Sequence, residues 1–362
     1  MIPLQSATPL PSAIAELLGL DPSNPAVLFV LAFVAAGAIV SVMLGMTAVL
    51  GIWGKRKITA AFTDRIAVDK LGPLGIGIII PDAVRLISKE LIVPEGVDRP
   101  AWDIAPLLIA SSAILGFAVI PMGQVGPVEF QLADPEVGLA FVFAVASIAS
   151  VGLVMAGYAS NNKYSFLGGL RAVAQNLAYE IPLILTGISV VIFAGTLQLS
   201  EIVATQQQSL VELGPVAIPA WFAIVNPFAF ILFLAANMAE VGRNPFDIPE
   251  APTEIVAGYQ TEYSSVYFVL IYLGEFVHIF LGGAIIATIF LGGPSGPGPA
   301  SIGLLWFLVK IWGVFLLTQW ARSALPRVRI DQLIEIGWKG MLVLAFANLF
   351  VTAVIVGVLA PL

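Results

Sequence analysis

Residues 237–263, NMAEVGRNPFDIPEAPTEIVAGYQTEY, decide how this chain is read. Five carboxylates, Glu240, Asp247, Glu250, Glu254 and Glu262, share one connector between two apolar runs. The chain is 59% hydrophobic and only 11% charged, so this concentration of acids is a departure from its background. Carboxylates at or near membrane depth are costly, and the physical default for them is an ion or proton path or a polar ligand site. Pro245, Pro249 and Pro252 forbid a continuous helix through the connector. Irregular backbone near a membrane survives where protein buries it or where it lines a wet cavity. The stretch therefore marks a working membrane protein and not an anchor.

Outward from this connector, mean hydropathy is +0.98 and apolar windows recur along nearly all of the 362 residues. Windows long enough to span hydrocarbon fall near 26–53, 103–121, 138–158, 178–197, 217–238, 266–292, 302–321 and 340–360. The expected fold is an all-α integral membrane protein of eight transmembrane helices. Residues 1–25 form an outward-facing N-terminal segment and 26–362 a single membrane domain. The first 25 residues hold Pro3, Pro9, Pro11 and Pro22, two acids and no Lys or Arg, so they do not read as a cleaved signal peptide. No internal repeat is evident.

Lysine and arginine are sorted by loop. Of the 16, Lys310 lies inside the seventh window and the rest follow odd-numbered windows. The positive-inside rule then puts the odd loops in the cytoplasm and both termini outside. The outward segments carry Glu16, Asp21, Glu129, Asp134, Glu136, Glu201 and Glu212 with no basic partner. They account for the whole net charge of −7. Either ordinary topology bias or an outer face bathed in concentrated salt would produce this pattern. Zero cysteines exclude iron–sulfur ligation and disulfides within the chain. A single histidine, His278, excludes a bis-histidine haem. Any redox cofactor must belong to another subunit.

The first cytoplasmic connector is too long for a turn, and KRKITAAF (55–62) and PDAVRLISKEL (81–91) read as amphipathic interfacial helices. KRK serves equally as a topogenic anchor, and Asp82 with Arg85 as a solvated helix pair. Four acids reach toward hydrocarbon depth: Glu180 at the start of the fourth window, Glu240 at the end of the fifth, Glu262 before the sixth and Glu275 within it. Buried carboxylates and histidine exchange protons near neutrality, so a group of them within reach makes a relay. Glu275 and His278 share a helical face at i, i+3, as a relay pair or as a structural pair between helices. Lys310, among Trp306, Phe307, Val309 and Trp312, calls for a buried carboxylate or water, with Glu275 a candidate. Arg243, Asp247, Glu250 and Glu254 form a second polar set. In LPRVRIDQL (325–333), Arg327, Arg329 and Asp331 alternate, and in an extended segment they point to one side. GGPSGPGP (292–299) reads as a flexible turn without chemistry.

AGYASNNKYSFLGGLRAVAQNLAYEIP (156–182), MAEVGRNPFDIPEAPTEIVAGYQTEYSS (238–265) and PRVRIDQL (326–333) resemble the quinone-site, or heel, membrane subunit of respiratory complex I, over about residues 45–350. The resemblance implies a narrow quinone cavity roofed by cytoplasmic loops and an acidic path into the membrane arm. Matched by motif, Glu180, Glu240, Glu262 and Glu275 fall on the acidic path. Arg243, Glu250 and Glu254 fall on the loop joining path to cavity. Arg56, Asp82, Arg327, Arg329 and Asp331 match charged positions around the cavity and its docking surface. The implied setting is a multi-pass protein of a prokaryotic plasma membrane. Quinone is the implied substrate, and no cofactor is expected in this chain. Iron–sulfur clusters, and a flavin, would lie in partner subunits of the peripheral arm, with further subunits in the membrane arm. No nucleic acid and no metal ion is expected.

The sequence departs from that family where Lys55-Arg56-Lys57 stands for the usual Glu-Arg-Lys, and where Ala67-Val68 stands for Gly-Pro. It departs again at Ile78-Ile79-Ile80-Pro81, at Pro252, and at Ser147, where some members carry an acid. Rival readings are the membrane subunit of an energy-converting hydrogenase and a stand-alone proton-coupled transporter. A non-catalytic scaffold would leave the membrane-depth acids unexplained.

Overall fold

A computed structural model of the chain describes residues 8–21, 24–45, 50–125, 128–213, 216–249, 254–297 and 299–359. In chain order the helices are α1 (Leu10–Leu17), α2 (Pro25–Leu44), α3 (Ile52–Phe62), α4 (Ile79–Ile87), α5 (Arg99–Gly116), α6 (Gly138–Ala159), α7 (Lys163–Ala194) and α8 (Leu199–Gln206). After these come α9 (Phe222–Val225), α10 (Pro227–Glu240), α11 (Ser265–Phe290), α12 (Gly303–Ala324), α13 (Ile330–Glu335) and α14 (Leu342–Leu359). A π-type turn, Ile336–Met341, joins α13 to α14. Short ribbons lie in the other connectors. In one, Thr8–Pro9 (β1) pairs with Val128–Glu129 (β3), which pairs in turn with Gln124–Val125 (β2). In the other, Ser209–Leu213 (β4) pairs with Val216–Pro219 (β5).

A helix occupies each of the eight apolar windows. Among the described residues, five helical segments are long and apolar enough to cross a membrane: α6, α7, α11, α12 and Ile330–Val358. Two expected boundaries move. The fourth window begins near 178, but α7 starts at Lys163, where the Asn162 side chain accepts from the Tyr164 N–H and caps it. Its first turns carry Arg171, Gln175 and Asn176, which a hydropathy average excludes even though Gln175 and Asn176 are buried against neighbouring helices. Glu180 is consequently mid-helix rather than at a helix start. The fifth window is broken: α9 stops at Asn226, and Pro227 opens a 14-residue α10 whose Ala229 N–H is capped by Asn226.

The connectors divide into two groups by their contacts. At one end, the Asp98 N–H donates to the Ala159 carbonyl, Ile92 N–H to Ser264 Oγ, and Val328 N–H to the Pro245 carbonyl. These bonds tie together the connectors after the odd-numbered windows, where Lys and Arg collect. At the other end, the Leu139 N–H donates to Leu197, and Asp134 accepts from Gln198 (2.6 Å) and Ser200. There too, the side-chain amide of Gln206 binds Thr288 and Gly292.

Helix α11 runs through the centre of the bundle, with two thirds of its apolar window buried, against about a fifth for the C-terminal helix. Apolar side chains gain little by leaving lipid for protein, so association rests on close contact and polar bonds. Gly282 of α11 lets the buried Asn237 amide of α10 lie directly on its backbone, since a Cβ there would stand 2.3 Å from Asn237 Nδ2. Gly168 of α7 gives the same access to the backbone of Gly258 and Tyr259.

Candidate functional site

Beneath the basic connectors a cavity of about 80 Å³ opens between α3, α5, α6, α7, α10, α11 and α12, space for several waters. Its walls bring together five of the residues singled out in the sequence: Glu240, Arg243, Asp247, Glu275 and His278. Each is delivered by a distinct local feature. Glu240 is the last residue of α10, which ends because Gly242 takes a positive φ and Pro245 follows. Arg243 and Asp247 lie in the non-helical turn beyond it, and Arg243 is buried with its guanidinium carbon 4.9 Å from the Phe276 ring centroid. Glu275 and His278, one helical turn apart on α11, line the same space.

Glu275 accepts a hydrogen bond from the Tyr259 hydroxyl and another, 2.8 Å long, from Gln260 Nε2. The short helical turn Gly258–Gln260 presents both donors against α7. His278 carries a buried Nδ1 with no protein hydrogen-bond partner among the described residues. A buried imidazole nitrogen in a polar cavity calls for water, and the cavity has room for it. A second, smaller pocket shares Ala146, Glu240 and His278 with the first but is otherwise walled by Phe143, Leu183, Phe233, Asn237, Leu281, Gly282 and Ile285. Glu240 and His278 therefore stand at the boundary between a charged cavity and an apolar floor.

Glu180 faces α6, where its carboxylate accepts from Ser147 Oγ, and it lies within electrostatic reach of Glu240. It extends the acidic group sideways from the cavity. Glu262 does not join. It accepts from Asn162 Nδ2 at 2.5 Å, in the connector before α11. Next to it, Tyr263 stacks on Trp102 at 4.7 Å, and burial pushes its phenol well above the usual range, so it is a neutral donor.

The remaining predicted residues form a separate polar layer at the basic end. Glu254 accepts from Arg171 Nη1 at 2.7 Å and from Arg327 Nη2 at 2.5 Å, joining α7 to two connectors. The Arg171 bond, aided by the charge of Arg327, holds its carboxyl below the usual carboxylate range. Arg56 and Asp82 pair at 2.7 Å, with Arg85 3.5 Å from the same carboxylate. The 327–331 pattern departs from expectation. The extended segment ends at Arg329, so Arg329 pairs locally with Asp331 at 2.6 Å while Arg327 turns to Glu254. The Asp331 hydrogen bond and charge hold the Arg329 guanidinium above its ordinary value. Glu250 lies outside the described residues.

Lys310 finds no carboxylate among the described residues. Its ammonium donates to the carbonyls of Leu291 (2.6 Å), Gly293 (2.8 Å) and Ser295 (2.6 Å) and lies 4.6 Å from the Trp221 ring centroid. The start of GGPSGPGP, read as devoid of chemistry, supplies two of the three carbonyls around this cation. Two cavity residues, Lys55 and Arg322, escaped notice as site residues because a base at the end of an apolar run reads first as a topology signal. With them the cavity wall holds three acids, Glu240, Asp247 and Glu275, and three fixed bases, Lys55, Arg243 and Arg322. Carboxylate, imidazole and phenol groups around a wet space are suited to holding and passing protons.

Fold and site together define an all-helical integral membrane protein with an ionisable interior. Residues 7–353 match the family model described as NADH dehydrogenase. The chain is 40% identical over 331 residues to the H subunit of NADH-quinone oxidoreductase from Thermomicrobium roseum, covering 90% of this chain and 96% of the relative. It is also 40% identical over 311 residues to the protein of that name from Bacillus cereus, covering 84% and 88%. The chain belongs to the NADH dehydrogenase family, with the H subunits of NADH-quinone oxidoreductase. It is thus a subunit of an enzyme complex.

Proposed function

We propose that residues 26–362 act as one eight-span membrane domain that forms much of a quinone cavity and the acidic path coupling quinone reduction to proton translocation. The observation that carries this reading is the shared cavity of Glu240, Arg243, Asp247, Glu275 and His278. Electrons arrive from iron–sulfur centres of the peripheral arm and reduce a quinone at the basic, cytoplasmic end. The change in charge there is felt through Arg243 and the Arg171–Glu254–Arg327 clamp. Glu275, Tyr259, His278 and Glu240 then take up or release protons, and Glu180 hands the disturbance sideways toward the membrane arm. The apolar floor below Glu240 and His278 favours this lateral route over a straight passage through the chain. Glu250 belongs to the same acidic run, Glu262 stands apart from it on Asn162, and Arg56, Asp82, Arg329 and Asp331 belong to the quinone-facing and docking surface. The chain sits in the plasma membrane of a prokaryote with both termini outside.

Glu240→Gln and Glu275→Gln test the reading in sealed membranes, with quinone reduction and the proton gradient followed together. Assembled complexes that lose the gradient support it. Normal gradient and normal electron flow in both variants would leave the cavity acids a structural role.

A further inference from the structure

Lys55 leaves α3 near its start and enters the charged cavity, whereas its neighbours Arg56 and Lys57 face Asp82 and Asp69. Its Nζ lies 3.4 Å from the Tyr272 hydroxyl and 5.4 Å and 5.1 Å from the ring centroids of Tyr272 and Phe276. Arg243 reaches the same Phe276 ring, at 4.9 Å. Tyr272, Glu275 and Phe276 occupy one turn of α11, so the turn that presents Glu275 is held by two cations from two other elements. Phe276 is fully buried, and its neighbourhood offers little solvent to screen them.

The groups that share the cavity with Lys55 come from every side. Glu240 ends α10, and Arg243 and Asp247 follow it. Glu275, His278 and the Tyr272 phenol come from α11, the Tyr259 phenol from the turn before it, and Arg322 from α12. Three acids and three bases share this wall, and neutralising Lys55 removes one positive charge from beside the acids.

We propose that Lys55 is a positioning cation that steadies the Glu275 turn of α11 and supplies the counter-charge setting the pH at which the cavity acids exchange protons. The inference deepens the proton-path reading and rests on it. A nearby cation favours ionised carboxylates, so removing it lets the cavity keep its protons to higher pH.

The test uses the whole complex in sealed membranes carrying Lys55→Met or Lys55→Arg, beside wild type and Glu275→Gln. Proton transport and quinone reduction are measured across pH. The expected result is a transport profile displaced upward by about one pH unit in Lys55→Met and returned to the wild-type position in Lys55→Arg. An assembled Lys55→Met complex with an unmoved profile overturns the proposal. If Lys55→Met does not assemble, Lys55→Gln carries the same comparison; failure of both neutral variants would make Lys55 a folding residue and overturn it as well. Glu275→Gln separates the two levels. If it blocks transport while Lys55→Met shifts nothing, only the role of Lys55 falls. If Glu275→Gln transports normally, the proposal falls, and if Glu240→Gln does so too, the proton path falls with it.

Discussion

Arg171 and Glu254 meet at 2.7 Å although 83 positions separate them in sequence, and the second oxygen of Glu254 takes Arg327 from 73 positions further on. One carboxylate thus fastens α7, the connector before α11 and the connector before α13. The Arg171 hydrogen bond holds it below the usual carboxylate range, so the clamp is ionised at neutral pH. A depressed folded-state value means the stabilisation is fully present above the unfolded value, about 4.3, and is lost as pH falls through the folded one.

Glu254→Gln should therefore lower the thermal stability of the purified complex at neutral pH, with the difference from wild type shrinking as the buffer is acidified. The carboxylate is half exposed, so screening limits the effect to about 1 kcal/mol. Arg171→Gln and Arg327→Gln should cost less in the Glu254→Gln background than alone. Additive losses in thermal-shift measurements would mean that the three residues act separately.

Asp82 gathers Arg56 at 2.7 Å and Arg85 at 3.5 Å, closing the first connector back on α3. Arg65 and Lys70 lie in the exposed segment between. Asp82→Asn should raise tryptic cleavage at these two sites about fivefold, the equivalent of about 1 kcal/mol. Added salt should raise wild-type cleavage toward the variant, because a pair this exposed is screened. Equal cleavage at low salt would show that the connector is held by its apolar contacts alone.

The cavity was legible in the sequence where chemistry and period coincide. Glu275 and His278 could be put on one face because a helix repeats every 3.6 residues, and Glu240 at a helix end because its apolar window closes there, ahead of prolines that forbid a continuous helix. The start of α7 was not, since hydropathy averages miss buried Gln175 and Asn176, which helices can bury once their amides are bonded, as Gln175 to Ala239 and Asn176 to Ser150. Asn226-Pro227 announces the break before α10, but an average over a window smooths it away. The partners of Lys310 are backbone carbonyls, which every residue owns and no pattern of side chains reveals.

Lys310 makes that last point testable. Its ammonium satisfies three carbonyls of one connector and abuts Trp221 of another. Lys310→Met keeps the length and removes the donors, so carbonyls in a part-buried site lose their partner. The expected loss is about 1–3 kcal/mol, seen as a lower melting temperature of the complex with quinone reduction unaltered below it. Lys310→Arg should restore little of this, because a planar guanidinium does not match three carbonyls converging on one point. Full restoration by arginine would show that charge matters there and the cage does not.

Gly168 and Gly282 admit neighbours to their backbones, but the neighbours differ. A Cβ at Gly168 would stand 2.5 Å from the Tyr259 backbone nitrogen, in the turn that supplies both hydrogen-bond donors to Glu275. Backbone in that turn cannot swing aside without carrying Tyr259 and Gln260 with it. A Cβ at Gly282 would meet the Asn237 amide at 2.3 Å, and a side chain can rotate. Gly168→Ala should therefore impair both assembly and proton transport, whereas Gly282→Ala should cost about 1–3 kcal/mol of stability. Asn237→Ala should recover most of the Gly282→Ala loss by emptying the collision, and nothing of the Gly168→Ala loss. The readout is the melting temperature of each complex beside its proton gradient. Equal damage from the two glycine variants, or rescue of neither, would place the contact that orders the Glu275 donors elsewhere than between α7 and the 258–260 turn.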